Sequence, residues 1–406
     1  MQQPLNFDRS YGLPSLSPCA GFRSLQFRSS FAATLAVIGT AIVWMAFAIS
    51  AVHFFNDFPT HYSWTELMLN YQGGFVRRGL LGELAFRADG LIPAKISLLS
   101  MVTAVTLLTT AYLIAEICRR PSFAAVLFLA SPAALLFPIY DYAAFGRKDI
   151  MVLGALAATL AIARSKASNA TAFAAAITIY LICSFIVEFS FFYFPFAFIA
   201  FVIVRRHELQ TGPVVNAAVA ACICAASFFI LTAISNGSSD VDAMVRSWQA
   251  IYPNAYTPNR GAATFLDLNL SQGLEMVGHA YRSAVTLTSY LLAMLFANMP
   301  LFIVLKEPQP RLRFHWTHCA MATGLIPFAL AADWGRYIYL FSAHLFVVAS
   351  VLRNEAGDGD RPPASIGIPA QIGILAVYAL TWRLIHFAYN SSSAIAPGVL
   401  FTLLPR

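Results

Sequence analysis

The chain has 406 residues, 59% of them hydrophobic and 11% charged, with a mean hydropathy of +0.67. A soluble domain carries about 25% charged residues, so a soluble globular fold is excluded. The net charge of +7 does not point to nucleic acid, because the 26 Lys and Arg fall mostly in pairs at the ends of apolar runs, with no basic stripe.

Residues 1–30 are polar and lack a compact apolar core followed by a small-residue cleavage site. They read as a cytoplasmic N-terminal tail, not as a signal peptide. Apolar runs approaching the roughly 20 residues of a bilayer crossing then predict spans at 31–54, 95–117, 121–139, 150–164, 170–187, 190–204, 213–235, 283–305, 316–332, 336–353 and 368–389. The stretch 170–204 is read as two spans, because Glu188 interrupts it and one helix of that length would overshoot the bilayer. The expected fold class is therefore all-α integral membrane, a polytopic bundle of about eleven transmembrane helices. Residues 31–389 form a single transmembrane domain, and 390–406 an extracytoplasmic or interfacial tail.

Short loops set the orientation. With the N-terminus inside, cytoplasmic positions receive Arg119 and Arg120, Arg164 and Lys166, Arg205 and Arg206, Lys306 with Arg311 and Arg313, and Arg353 with Arg361. This follows the positive-inside tendency. The extracytoplasmic loops are then 55–94, 140–149, 236–282 and 333–336, with Glu188 on the same side. All six cysteines lie in apolar runs, at a membrane border or in the N-terminal tail, so no disulfide framework is implied. Cys222 and Cys224 read as small helix residues rather than metal ligands.

The extracytoplasmic loops hold the unusual charges. In 55–87, Asp57 follows the first span; Trp64 to Tyr71 predicts an interfacial helix, Gly73 and Gly74 break it, and Phe75 to Phe86 predicts a second, bearing Arg77, Arg78 and Glu83. Adjacent arginines beside a glycine pair suit an anionic ligand, because guanidinium meets phosphate bidentately and glycine lets backbone N–H groups approach. The competing reading is an amphipathic helix whose arginines snorkel to lipid head groups. The short turn DYAAFGRKD packs Asp141, Arg147, Lys148 and Asp149 between two apolar runs, where ion pairing among themselves is the alternative to ligand binding. Asp333 and Arg336 stand three apart, a spacing that also allows local pairing. Glu188 lies in the apolar run IVEFSFFYF, where an acid must be partnered or used.

The loop 236–282 offers Trp248, Tyr252, Tyr256, Arg260 and Asp267, which suit either a sugar ring or a packed lid. His53 and His386 read as packing or capping groups at the membrane border. No phosphate-binding P-loop, HExxH, GxSxG or CxxC motif occurs.

On Asp57, the loop 58–87 and the outer arginines, the layout resembles the GT-C class of membrane glycosyltransferases and envelope polysaccharide polymerases of the O-antigen-polymerase type. The resemblance is architectural and covers roughly the first 200 residues. It implies a polyprenyl-phosphate- or diphosphate-linked sugar donor, a glycan acceptor and a lipid environment, and no nucleic acid. It also implies a bacterial inner membrane with an extracytoplasmic active face serving cell-envelope glycan synthesis. Asp57 and Glu188 would be the catalytic acids; Arg77, Arg78, Arg147, Lys148 and Arg336 would meet the donor phosphate. Asp141, Asp149, Asp333 and Glu83 would support them. The paired acids of the class are reduced here to Asn56-Asp57, which leaves the metal unknown and a divalent cation as the one cofactor in question. The rival reading is a transporter or flippase for an anionic lipid or solute.

The orientation is testable in a cysteine-free background. A cysteine at Ser238 is expected to react with an impermeant maleimide on intact cells, and one at Gly357 to react after permeabilisation alone. The reverse pattern contradicts the assignment.

Overall fold

The computed structural model describes residues 44–205, 240–257, 260–266, 270–305, 314–355, 368–388 and 392–398. The chain divides into Met1–Ile49 and Ser50–Arg406. The predicted spans 31–54 and 213–235 lie respectively in part and wholly outside the described residues, as does Asp267.

The architecture is helical. In chain order the helices are α1 (Trp44–Asn56), α2 (Tyr62–Leu67), α3 (Leu80–Ala88), α4 (Ala94–Ile117), α5 (Phe123–Leu129), α6 (Phe137–Tyr140), α7 (Asp149–Ala163), α8 (Asn169–Ile186) and α9 (Phe194–Val204). Beyond them come α10 (Val241–Gln249), α11 (Leu270–Ala280), α12 (Ala284–Ala297), α13 (Met299–Leu305), α14 (Phe314–Leu330), α15 (Trp334–Glu355) and α16 (Ile368–Leu380). Among the described residues three helices, α4, α8 and α15, are long and apolar enough to cross a membrane. Shorter apolar helical stretches are Trp44–Asn56, Asp149–Ala163, Glu188–Val204, Ala284–Ala297, Ala320–Leu330 and Pro369–Leu380.

Three predicted spans are broken, each for a local reason. The run 121–139 is two helices, α5 and α6, not one. Pro132 lacks an N–H to continue the ladder, and the Ser131 hydroxyl instead serves the Ala133 N–H at 3.3 Å and pairs with Tyr378 Oη at 3.0 Å. The run 283–305 breaks at Asn298, whose amide turns back to Met294 O at 2.8 Å just ahead of Pro300. The run 368–389 stops as helix at Leu380 and continues as a strand. That strand, β1 (Trp382–Leu384), pairs antiparallel with β2 (Ile395–Pro397), a two-stranded ribbon in an otherwise helical chain. Glu188 does divide 170–204, as its charge required: Val187 is extended and Glu188–Tyr193 is a 3-10 turn leading into α9.

Helix α7 sits among α4, α8, α9 and α15. Its alanine-rich sequence keeps the interhelix distance short; a Cβ on Gly154 would stand 3.1 Å from Thr109 Oγ1 of α4. Helix α15 is buried along most of its length, including Arg336, Ser342 and His344. The far ends of these helices are tied by charge. Arg164 grips both oxygens of buried Glu116 and reaches Glu355 at 2.9 Å. Arg205 donates to the carbonyls of Ala163, Ser165 and Ala167 at 2.7–2.8 Å, covering the open C-terminus of α7.

The first predicted loop folds differently from its periodicity. Its helices are α2 and α3, and residues 68–79 between them, including Arg77 and Arg78, are irregular. Two glycines permit that path. A Cβ on Gly82 would fall 2.0 Å from Leu69 O, and one on Gly73 would fall 1.9 Å from Asp240 O, whose residue donates its N–H to Gly73 O at 2.6 Å. Residues 240–257 and 260–266 then close over α2. Trp248 Nε1 donates to Met68 O, Tyr256 Oη to Thr65 O at 3.1 Å, and the Ala262 N–H to Thr65 Oγ1 at 2.9 Å. Trp248 and Tyr256 are buried, so these aromatics form a packed lid rather than a sugar platform.

Candidate functional site

Three stretches that are remote in sequence meet at the N-terminal ends of α7 and α15. The turn Arg147–Asp149 opens α7, Asp333–Arg336 opens α15, and Arg78 arrives from the irregular stretch before α3. Arg336 holds Asp149 bidentately, Nε to Oδ2 and Nη2 to Oδ1 at 2.6 Å each, and reaches Asp333 Oδ2 with Nη1 at 2.7 Å. Arg147 Nη1 shares that Asp333 oxygen at 3.0 Å. Arg78 takes both oxygens of Glu188, with Nε to Oε2 at 2.5 Å. The Lys148 ammonium, wholly buried, donates to the Arg78 carbonyl at 2.5 Å.

At the centre stands Glu66 of α2, 1% exposed. Its Oε1 lies 3.7 Å from both Arg78 Nη1 and Arg336 Nη2, and its Oε2 accepts no hydrogen bond among the described residues. Arg147 Nε is likewise buried without a hydrogen-bond partner, while its guanidinium lies 4.6 Å from the ring centre of Tyr62. The cluster thus matches Arg78, Arg147, Lys148 and Arg336 against Glu66, Asp149, Glu188 and Asp333. Such matching is what a low-dielectric interior requires, since an unpaired buried charge is prohibitively costly.

The fields follow from this packing. Burial alone would raise the Glu66 carboxyl, but Arg336, Arg147, Arg78 and Lys148 together hold it below the usual carboxylate range. Asp333 is likewise depressed, burial being outweighed by Arg147 and Arg336. Burial opposes the charge on Arg78, yet Glu188 and Glu66 more than restore it. Lys148 goes the other way: burial, with Arg78 adding repulsion, brings its ammonium down to about 7 despite Glu66 and Glu188.

Backbone strain marks the same place. Arg78 sits at φ +67°, a left-handed conformation that disfavours any residue with a Cβ. Strain of this kind costs about 1–3 kcal/mol and persists where its surroundings over-determine it. Here the side chain is fixed by Glu188 and the carbonyl by Lys148.

Of the residues singled out from the sequence, Arg78, Arg147, Lys148, Asp149, Glu188, Asp333 and Arg336 are brought together. The others stand apart from that core. Arg77 stands beside it, half-buried, its Nη2 donating to Phe265 O at 3.1 Å and its charge felt by Glu188. Asp57 is exposed on a rim, accepting from Tyr142 Oη at 2.6 Å, with His61 in electrostatic reach. Asp141 accepts from the His386 N–H at 2.7 Å and from its Nδ1 at 2.8 Å. Glu83 is not in the site: it latches the loop by accepting from Tyr71 N–H at 2.9 Å, Gln72 Nε2 at 3.1 Å and Arg87 Nε at 2.6 Å. Among the described residues no group of three or more His, Cys, Asp or Glu side chains is arranged to hold a metal ion.

Glu66 is the residue that sequence reasoning passes over, with Tyr62 and Tyr142 as its lesser companions, while His386, read from the sequence as a packing or capping group, pairs with Asp141. The signal for Glu66 was the one applied to Glu188, an acid set among apolar residues, here in WTELML. Comparison of the chain with protein-family models, curated proteins and solved structures finds no match.

The Lys148 shift gives a pH signature. Its folded value of about 7 lies below the unfolded value of about 10.4, so between those limits the unfolded chain binds more protons. Stability therefore rises with pH across that window, and below it Lys148 is protonated in both states. Unfolding measured from pH 7 to 10 should show wild type gaining steadily on Lys148→Met. Parallel curves would contradict the buried, depressed ammonium.

Proposed function

We propose that the protein is a membrane glycosyltransferase or polysaccharide polymerase. It uses a polyprenyl-phosphate- or diphosphate-linked sugar on the extracytoplasmic face of a bacterial inner membrane, for cell-envelope glycan synthesis. About eleven helical segments, several of them broken, would span the bilayer. The observation that carries this reading is the gathering of four cations beside two helix N-termini, Arg78 and Arg336 at Glu66, Arg147 on Asp333 and Lys148 on the Arg78 carbonyl, in a chain with membrane-length apolar helices. Oriented guanidinium groups and helix N-termini together favour a phosphate.

The geometry divides the roles. Arg78 and Arg336 have their forks filled by Glu188 and Asp149, which makes them positioning residues. Glu188, engaged through both oxygens, is a partner of Arg78 and not a free base. Arg147, with Nε unspent, and Arg77, half-buried and bonded to no acid among the described residues, are the groups that meet the donor phosphate. They stabilise the charge that builds on it as the glycosidic bond to phosphate breaks. Asp57 on the rim, with Tyr142, orients the acceptor hydroxyl.

A transporter or flippase for an anionic lipid is the second reading. The helix breaks at Pro132, Val187 and Asn298 favour it, because discontinuous helices build transport sites. In that case labelled lipid crosses proteoliposomes with its sugar still attached.

Binding decides the phosphate role. In nanodiscs the protein should bind undecaprenyl phosphate well above the corresponding alcohol. A charge-assisted hydrogen bond is worth about 1.5–3 kcal/mol, so Arg147→Ala should weaken binding by about ten- to a hundredfold. Arg147→Lys should recover part of the loss, since it keeps charge without the fork. Equal affinity for phosphate and alcohol, or an Arg147→Ala protein that binds normally, would overturn the assignment.

A further inference from the structure

Beside the cation cluster lies a second arrangement that the phosphate-binding role leaves unused. His386 follows β1, and its main chain is pinned against the start of α15. The Gly335 N–H donates to His386 O at 3.1 Å, and a Cβ on Gly335 would fall 2.1 Å from Ile385 O. Glycine is needed at 335 for that approach, and the approach puts His386 one residue's breadth from Arg336. The Ile385 N–H bonds Ala394 O at 2.9 Å and the Ala388 N–H bonds Tyr290 Oη at 2.7 Å, so the segment is fixed on both sides.

The ring itself is fixed by Asp141. One carboxylate oxygen, Oδ2, accepts from both the His386 backbone N–H and Nδ1. An imidazole that donates through Nδ1 presents the lone pair of Nε2. No hydrogen bond engages Nε2 among the described residues, and the side chain is 18% exposed. The charged and titratable groups facing it are Asp141, Asp333 and His61, with Arg336 and Tyr290 behind the segment that carries it. His61 is in turn within reach of Asp57 and Arg147, so one rim contains the acceptor-orienting acid, the phosphate arginine and this imidazole.

We propose that His386, oriented by Asp141, is the general base that takes the proton from the acceptor hydroxyl. The assignment rests on the glycosyl-transfer reading. As the acceptor oxygen forms its bond to the anomeric carbon, its proton passes to His386 Nε2. The bond from the anomeric carbon to the phosphate oxygen breaks, and its electron pair leaves on the polyprenyl phosphate, facing Arg147 and Arg77. Asp141 remains ionised and stabilises the imidazolium: burial works against that charge, but its bonds to His386 hold it below the usual carboxylate range. The proton is afterwards released to solvent. Histidine is the common choice for this task because its intrinsic pKa lies near the working pH.

The test uses the full chain in nanodiscs with a panel of undecaprenyl-phosphate hexoses and a free-hydroxyl glycan acceptor. A positioned base contributes about 10²–10⁴-fold, so His386→Gln should lower kcat by about that factor while binding of undecaprenyl phosphate stays within about twofold. Added imidazole should restore part of the activity of His386→Ala, and Asp141→Asn should shift the acid limb of the pH profile. Asp57→Asn should instead act through the KM for acceptor. A His386→Gln protein with wild-type kcat and pH profile overturns the inference and leaves the transfer reading standing. A wild type that binds no undecaprenyl phosphate and transfers no sugar overturns the transfer reading, and the base assignment with it. The ring is checked apart from activity by ¹⁵N NMR of labelled histidine: Nδ1–H bonded to Asp141 is expected, and an Nε2–H tautomer overturns the proposal.

Discussion

Charge removed from water has to be matched, and the organisation of this protein follows from that constraint. Arg147, Lys148 and Arg336 are buried and Arg78 half-buried against buried Glu66, Asp149 and Glu188 and half-buried Asp333, and three of the pairs, Arg78 with Glu188, Arg336 with Asp149 and Arg147 with Asp333, join residues more than a hundred positions apart. Desolvation makes each ion expensive, and removing one partner from a buried pair typically costs about 3–5 kcal/mol. The pairs therefore act as registers. Arg336 with Asp149 sets α15 against α7, and Arg78 with Glu188 sets the irregular stretch before α3 against the turn that precedes α9. A second set, Glu116 with Arg164 and Glu355, does the same at the opposite helix ends.

The matching is complete in charge but not in hydrogen bonds. Glu66 Oε2 and Arg147 Nε are buried with bonding capacity unspent, in contrast to the filled forks of Arg78 and Arg336. Saturated pairs give the cluster its shape, and the unsaturated atoms are where it has something left to offer. Around it the rim is built of different chemistry: Asp57 with Tyr142, Asp141 with His386, and His61 between them. A charge-matched core beside a rim of proton-exchanging groups is the arrangement that the proposed glycosyl transfer uses.

Much of this was legible as anomaly and little of it as geometry. Helices α4, α7 and α8 begin and end within a residue or two of their predicted bounds, because each is an apolar run closed by polar residues at both ends. The breaks at Pro132 and Asn298 were overridden by the apolar composition around them, and the three-residue strands are too short to leave a periodic signal. Arg147, Lys148, Asp149, Glu188, Asp333 and Arg336 stood out as charges in apolar surroundings. Which arginine holds which acid was not readable, since the partners are set by tertiary packing across 110 to 187 residues. Arg78 was placed on a helix because the pattern of 80–86 extends backwards to it; the left-handed backbone that turns it inward has no sequence mark beyond the glycine that follows.

These charges form one coupled unit, and a double-mutant cycle on the pair joining α7 to α15 measures the coupling. Unfolding free energies would be measured in mixed micelles for Asp149→Leu, Arg336→Met and the double variant. Arg336→Met strands buried Asp149 and should cost about 3–5 kcal/mol, and Asp149→Leu should cost less, because Arg336 keeps Asp333. The double change removes both charges and should cost well below the sum, with a coupling of roughly 0.5–3 kcal/mol or more. Strictly additive losses would contradict the account.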